Sequence, residues 1–185
     1  MHKMIRPTVG LLLLLCIVCG CNENRPGTIE ELPPPVGSEW VSRADEEHRA
    51  AIQLGRYASG QASDQRLRNY GWDMLAFHRI MQRRLEAIAH QNRIPLKDTM
   101  DGIYQQLIKD MAAKAGNNFD SSFMSVMAER EKAMIMVLDQ IILAKPPSGL
   151  QFFALADRDS VRQHLDRLMD IKDSINVKRK RWVQL

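Results

Sequence analysis

Five polar side chains interrupt helical stripes that are otherwise apolar, and these are the residues that could do chemistry. They are His48, His78, His164, Arg130 and Asp157. If the helices align at mid-height, the three imidazoles meet in the interior, where they could hold a metal ion or form a proton-sensitive cluster. The alternative is a structural set of core polar groups. Arg130 would then pair with Asp157 or with a backbone carbonyl, because an unpaired buried charge is strongly destabilising.

Interior histidines alone do not make a metal centre. A carboxylate-bridged di-iron site in a four-helix bundle takes a Glu-x-x-His motif from each of two helices. Here Leu75 stands three residues before His78, and Val161 stands three residues before His164. A mononuclear histidine site is geometrically possible, but Arg130, which is expected to face the same interior, would repel a cation. We therefore expect no metal cofactor, and a histidine-bound ion is the alternative.

The elements that must position these side chains are helices. From residue 41 onward Ala, Leu, Met, Gln, Arg and Glu dominate, and proline occurs at only three positions. Apolar residues recur at spacings of three and four, which is typical of one stripe on a helix. We predict helices over residues 41–61, 64–92, 98–115, 119–144 and 149–178.

Local signals set the predicted helix ends. Ser63 or Asp64 can cap the second helix, Asp98 starts the third, and Gly116 provides a glycine stop for it. Ser148 can cap the last helix. Facing apolar stripes then predict an all-α fold, which is an antiparallel four-helix bundle with one extra short helix. Small residues on the first stripe predict a close approach to a neighbouring helix.

The N-terminus has the features of a secretory signal. Lys3 and Arg6 precede an apolar run over residues 9–18, which is too short to span a membrane as a helix. The sequence Val-Cys-Gly-Cys that follows resembles the lipobox of bacterial lipoproteins. That resemblance implies a signal peptide over residues 1–20 and a diacylglyceryl group on Cys21, which becomes the first mature residue.

A proline-rich stretch separates the expected anchor from the bundle. Residues 21–40 lack apolar periodicity and contain three consecutive prolines, so we predict a lipidated N-terminus followed by a flexible tether. The helical bundle domain then covers residues 41–185. Asn22 follows the lipidated cysteine, and the sorting rule of enteric-type bacteria then implies the outer membrane. We therefore expect a protein anchored by its lipid at the periplasmic face of the envelope.

Composition narrows the function classes. Lys and Arg total 26 against 22 acids, and loss of Lys3 and Arg6 with the signal leaves 24 minus 22, or +2. This near-neutral balance does not indicate a nucleic-acid partner. The three cysteines all lie within residues 16–21, so the mature chain would keep no free thiol. It also has no HExxH motif and no nucleophile elbow. We expect a protein that is not an enzyme.

Spaced motifs over residues 44–173 resemble a bacterial family of secreted and lipid-anchored proteins whose domain is uncharacterised and ferritin-like. The matching positions are Met74, His78, residues 92–96, residues 116–120, Phe123, Met124, residues 131–133 and residues 162–165. The sequence departs from the family pattern at three polar positions, where it has Phe77 for Asp, Arg130 for His and Ala51 for Glu. The resemblance implies the fold and supplies no substrate.

Two functions from different classes follow. The first is a lipid-anchored periplasmic bundle of unknown biochemical activity that acts as a structural or interaction protein, with the membrane and an envelope protein as partners. The second is a metal-binding or stress-protective ferritin-like protein that uses His78 and His164. The sequence favours the first function, because the positive charge of Arg130 on the inward-facing stripe would disfavour a bound cation.

Overall fold

The computed structural model describes residues 37–183 of the 185, with side chains through Asn176. The described part is helical and contains no strand. It therefore has the predicted all-α class. The expected signal peptide, Cys21 and the tether up to residue 36 lie outside the described residues. The five helices are α1 (Ser38–Gln61), α2 (Gln65–Gln91), α3 (Gly102–Ala112), α4 (Gly116–Leu143) and α5 (Ser148–Val183).

Helix ends agree with the sequence where a side chain caps the backbone locally. Asp64 is the N-cap of α2, and its carboxylate accepts a hydrogen bond of 2.9 Å from the backbone N–H of Arg66. By contrast, α1 begins at Ser38 rather than at residue 41. The last residues of the expected tether are therefore helical.

The predicted bounds of α3 were wrong at both ends. Its N-cap is Asp101 rather than Asp98, because α1 holds the preceding turn in a non-helical form. Arg49 donates to the carbonyl of Asp98 at 2.9 Å, and Glu46 accepts from the N–H of Asp101 at 2.9 Å. Gly116 does not end α3 but begins α4, with a φ of +59° that turns the chain from one helix into the next.

Four long helices form the bundle, and α3 packs outside it against α1 and α4. Around the bundle the order is α1, α2, α5, α4, since these neighbours pack together. Asp120 at the start of α4 accepts from the N–H groups of Ser63 and Asp64 at 2.8 and 3.1 Å. Further along, Arg130 meets Glu47 of α1. Helix α4 is therefore antiparallel to α1.

The remaining neighbours are antiparallel as well, as predicted. Asp139 of α4 pairs with Arg158 of α5 at 3.0 Å, and Phe77 of α2 contacts His164 of α5. Helix α2 therefore ends at the opposite end of the bundle from the start of α4. Residues 92–115, which include α3, form one crossover along the bundle, where the sequence had predicted short loops.

The apolar core consists of two clusters, one toward each end of the bundle. The first includes Leu54, Leu67, Phe119, Phe123 and Met127, and the second includes Val41, Leu85, Leu138, Ile141 and Val161. On α1, His48 lies between Ala44 of the second cluster and Ala51 of the first. A polar layer therefore separates two apolar layers.

The close helix approach predicted from small residues is present between α1 and α2. A Cβ on Gly71 would lie 2.7 Å from the carbonyl oxygen of Gly55 and 2.7 Å from the backbone nitrogen of Ser59. A Cβ on Gly55 would lie 2.8 Å from the carbonyl oxygen of Gly71. These contacts are with backbone atoms, which cannot rotate away.

None of the helices in the described part of the chain combines the length and the apolar character that crossing a bilayer requires.

We predict that Gly71→Ala lowers the free energy of unfolding by about 2 kcal/mol or more, because overpacking against backbone outweighs the helix propensity that alanine adds. Gly60 of α1 has no atom within 4 Å of a built Cβ, so Gly60→Ala is the matched control and should raise stability by up to about 1 kcal/mol. Urea denaturation followed by circular dichroism measures both. Equal stabilisation by the two variants would contradict the close approach.

Candidate functional site

A layer of ionisable side chains crosses the middle of the bundle, with contributions from all four long helices. His48 comes from α1, His78 from α2, Glu131 from α4, and Asp157 and His164 from α5. The first four are at most 1% exposed, and His164 is partly buried. We call these five residues the polar layer. The structure thus brings together four of the five residues that the sequence singled out.

Two contacts link three residues of the layer. His48 and His78 face each other through their Nδ1 atoms, which are 2.9 Å apart in a hydrogen bond. On its other side, His48 places Nε2 at 3.1 Å from Oδ2 of Asp157, across the diagonal of the bundle. The Nδ1 hydrogen bond therefore ties the two rings together, whereas Nε2 of His48 is close to Asp157 without forming a hydrogen bond to it.

His78, Glu131 and His164 form a group with the composition of a metal site, which we call the triad. Nε2 of His78 lies 3.7 Å from Oε1 of Glu131. One ligand atom from each of the three residues lies within 4.8 Å of the other two. Metal–ligand bonds of about 2.0–2.2 Å place neighbouring ligand atoms roughly 3–3.5 Å apart. The triad is therefore slightly wider than a closed tetrahedral site, and small side-chain shifts would close it.

The triad carries buried polar atoms without a well-formed hydrogen bond, although the buried Tyr70 hydroxyl lies close enough to Glu131 to interact with its carboxyl group. Nε2 of His78, both carboxyl oxygens of Glu131 and Nδ1 of His164 are buried without a hydrogen-bond partner. Each such atom costs about 1–3 kcal/mol relative to a satisfied one. Buried polar groups are normally paired, so a cluster of unpaired atoms that face one another indicates a ligand.

Burial also determines the protonation states of the triad. Desolvation raises the pKa of Glu131 to about 8 and lowers the pKa of His78 to about 3. It also lowers the pKa of His164, against the attraction of Glu131. Without a cation, both triad imidazoles are therefore neutral at pH 7 and the Glu131 carboxyl holds its proton. A metal ion would have to displace that proton, while the imidazoles are already in the ligating form.

Arg130 does not join the layer, and its predicted pairing with Asp157 was wrong. Its side chain is 29% exposed, and its guanidinium lies 3.1 Å from Oε1 of Glu47. Tyr104 of α3 donates a hydrogen bond of 2.9 Å to the same oxygen. Asp157 pairs with His48 instead. The expected repulsion of a cation by Arg130 assumed that Arg130 lies on the inward-facing stripe of α4, which it does not.

Glu131 is the site residue that the sequence analysis missed. Between Met127 and Met134 of α4, spacings of three then four select residue 130, whereas four then three select residue 131. Both spacings are compatible with a helical stripe. In the structure Glu131 is 1% exposed, and its side chain takes the interior position beside His78. The signal was present in the sequence, but helical periodicity alone could not choose between adjacent positions.

Comparison with known protein families shows which family the chain matches. The family model described as a domain of unknown function, DUF4142, matches residues 31–171. This range includes every residue of the polar layer. No curated protein and no solved structure matches the chain.

We predict that the metal-free protein loses stability as pH rises from 6.5 to 8, and that Glu131→Gln removes this loss. A carboxyl whose pKa rises on folding binds a proton in the native state that the unfolded state has released. Its contribution therefore weakens between the unfolded pKa of 4.5 and the folded pKa of about 8. The part between pH 6.5 and 8 amounts to about 1.5 kcal/mol, at about 1.4 kcal/mol per pKa unit.

The two triad histidines change the stability in the opposite direction as pH rises, and they do so over a lower pH range. Their lowered pKa values make native stability fall as pH drops below 6.5. Urea denaturation of wild type and Glu131→Gln at several pH values, with chelator present, separates the two ranges. Parallel stability curves for the two proteins above pH 6.5 would show that Glu131 does not hold a proton in the folded state.

Proposed function

We propose that this chain, which belongs to the DUF4142 family described as a domain of unknown function, is a metal-binding helical bundle. In this proposal His78, Glu131 and His164 bind one divalent transition-metal ion in the interior. The observation that carries it is the convergence of these three groups, each with buried ligand atoms that lack a hydrogen-bond partner.

The donor set defines the class of ion. Two imidazole nitrogens and one carboxylate oxygen suit first-row divalent ions such as Zn²⁺ and Fe²⁺. Ca²⁺ and Mg²⁺ prefer sites made of oxygen ligands, and Cu⁺ prefers thiolate or thioether sulfur. Three protein ligands leave a coordination position open for water or another small ligand. We therefore propose a site for Zn²⁺ or Fe²⁺ rather than for a hard cation or Cu⁺.

The connectivity supports a ferritin-like fold for this bundle. Ferritin-like folds contain four helices with one long crossover, and here residues 92–115 make such a connection between α2 and α4. The di-iron ligand pattern that accompanies many of these folds is not present, because Leu75 and Val161 occupy the positions of its glutamates. The triad is thus proposed to hold one ion, consistent with binding or sequestration rather than di-iron oxidation.

We also propose that the bundle is anchored at the periplasmic face of the envelope, on the outer membrane, through lipid on Cys21. The support is the sequence alone, namely the basic residues, the apolar run and the lipobox-like motif of residues 1–21, followed by Asn22. An anchored metal-binding bundle would act on ions at the membrane surface. A protective or scavenging role in the envelope fits both parts of the proposal.

Metal binding is tested by titrating Zn²⁺ into the chelator-treated protein by isothermal calorimetry, with elemental analysis of the loaded protein. We expect one ion per chain, and at least a tenfold weaker Kd in each of His78→Ala, His164→Ala and Glu131→Gln. His90 is an exposed histidine on α2, so His90→Ala is the matched control and should bind as wild type does. Binding that is equally weakened by the control, or no stoichiometric ion in wild type, would reject the site.

The anchor is tested by metabolic labelling with a fatty-acid analogue and by detergent partitioning. We expect wild type to incorporate label and enter the detergent phase, and Cys21→Ser to do neither, because that thiol is the proposed site of acylation. Cys19→Ser serves as the control for loss of a neighbouring thiol. Unchanged partitioning of Cys21→Ser would count against the anchor and would leave the metal site unaffected.

A further inference from the structure

The triad lies inside the bundle, so an ion must reach it between two helices. His78 and Glu131 are each 1% exposed, whereas His164 of α5 is partly exposed. Nδ1 of His164 is buried without a hydrogen-bond partner, so the exposed part of this ring is not the part that carries Nδ1. Because His164 is the triad residue that solvent touches, the route from solvent to the triad passes beside its ring.

Phe77 of α2 covers this ring from across the interface between α2 and α5. Its ring contacts that of His164 edge-on, with the two centroids 4.4 Å apart. It also contacts the ring of His78 edge-on, at a centroid distance of 5.1 Å. Phe77 is itself partly exposed, so its ring lies between the buried triad and solvent. One aromatic side chain therefore covers two of the three proposed ligands.

The α2–α5 interface leaves a single narrow opening at Phe77. These two helices pack least closely of the four pairs of neighbouring long helices. One helical turn away, Asp73 of α2 pairs with Arg167 of α5, and both side chains are about half exposed. One turn in the other direction, Met81 packs against the second apolar cluster. The ion pair and Met81 flank Phe77, so displacement of this one ring opens a way to the triad.

We propose that Phe77 is the gate of the metal site, whose ring blocks the α2–α5 interface and whose displacement admits and releases the ion. The inference rests on the proposed metal site. Phe77 has no ligand atom, so its role is to control access rather than to bind. A partly exposed ring changes rotamer without movement of the helix backbone. The hydrophobic shell around a metal site generally controls solvent access, and here one side chain of that shell is movable.

A gate changes rates rather than affinity. To open, Phe77 must leave its edge contact with His164 and expose apolar surface, and this cost slows entry and exit of the ion alike. Kd is the ratio of the dissociation rate to the association rate, so equal slowing of both leaves Kd unchanged. Loss of the edge contact and of the buried ring area corresponds to about a tenfold change in rate. A residue that only held the ligands in place would change the dissociation rate and Kd.

The kinetic test is stopped-flow mixing of the chelator-treated protein with Zn²⁺, with a chromophoric chelator that reports the free ion. Dissociation is followed after excess chelator is added to the loaded protein. In Phe77→Ala both rates should rise at least about tenfold, while Kd stays within about threefold of wild type. The larger ring of Phe77→Trp should lower both rates, and this variant keeps the test decisive if the alanine variant unfolds. Phe153→Ala is the matched control, because the described ring contact of Phe153 is with His48, at 6.4 Å, rather than with the triad.

A second measurement requires no metal ion. Hydroxyl-radical footprinting read by mass spectrometry uses a probe of the size of water, and it reports solvent access to His78 in the metal-free protein. The exposed His90 on the same helix is the internal reference. Relative to His90, oxidation of His78 should rise severalfold in Phe77→Ala and remain at the wild-type level in Phe153→Ala.

Each other result has a defined consequence. A weaker Kd in Phe77→Ala with an unchanged association rate overturns the gate, because Phe77 would then only support the ligands by packing. Equal acceleration in Phe153→Ala also overturns it, since any loosening of the polar layer would have the same effect. Unchanged oxidation of His78 in Phe77→Ala would place the route elsewhere. Faster oxidation of His78 in that variant, with no Zn²⁺ binding in wild type, would support the route and reject the proposed metal site.

Discussion

The structure depends on burying five ionisable side chains at one level of a four-helix bundle. A charged or polar group in such an interior costs several kcal/mol unless another group faces it. Four of the five face one another across the bundle axis, His48 toward Asp157 and His78 toward Glu131, while ligand atoms of the triad keep no hydrogen-bond partner in the described part of the chain. A slip of one helix by one turn, about 5.4 Å, would separate these partners. The layer therefore fixes the relative heights of the four helices.

The close approach of α1 and α2 is what brings the first two imidazoles together. Gly55 faces Gly71 with almost no space between the backbones. Seven residues along each helix, about two turns, His48 faces His78 with Nδ1 atoms 2.9 Å apart. A bulkier pair at the glycines would widen this interface and separate the rings. The spacing between these two imidazoles is thus set outside the polar layer, by glycines that carry no reactive side chain.

The crossover has a similar consequence for the triad. Since residues 92–115 carry the chain along the bundle, α4 is antiparallel to both α1 and α5. This arrangement places Glu131 diagonally across from His78, with His164 on the neighbouring helix. It also places Glu47 of α1 beside Arg130, where Tyr104 of α3 completes a separate network. Two adjacent residues of α4 therefore belong to different networks, one inside the bundle and one at its side.

Local patterns in the sequence determined much of this molecule. Spacings of three and four specify helices and their apolar stripes, and they placed His48, His78, Asp157 and His164 on the inner faces because helical geometry is local. The small residues of α1 likewise indicated a close neighbour. The cap at Asp64 followed from a side chain that bonds its own helix.

Only the tertiary structure decided between positions that are equivalent in a single helix. Residues 130 and 131 are separated by about 100° around α4, and either spacing fits one stripe. The contacts of Glu131 with His78 and of Arg130 with Glu47 made the choice. The non-helical turn before α3 depends on Glu46 and Arg49 of α1 in the same way. These features are set by which helices meet and at what height, and that information lies in pairs of residues distant in the chain rather than in any local pattern.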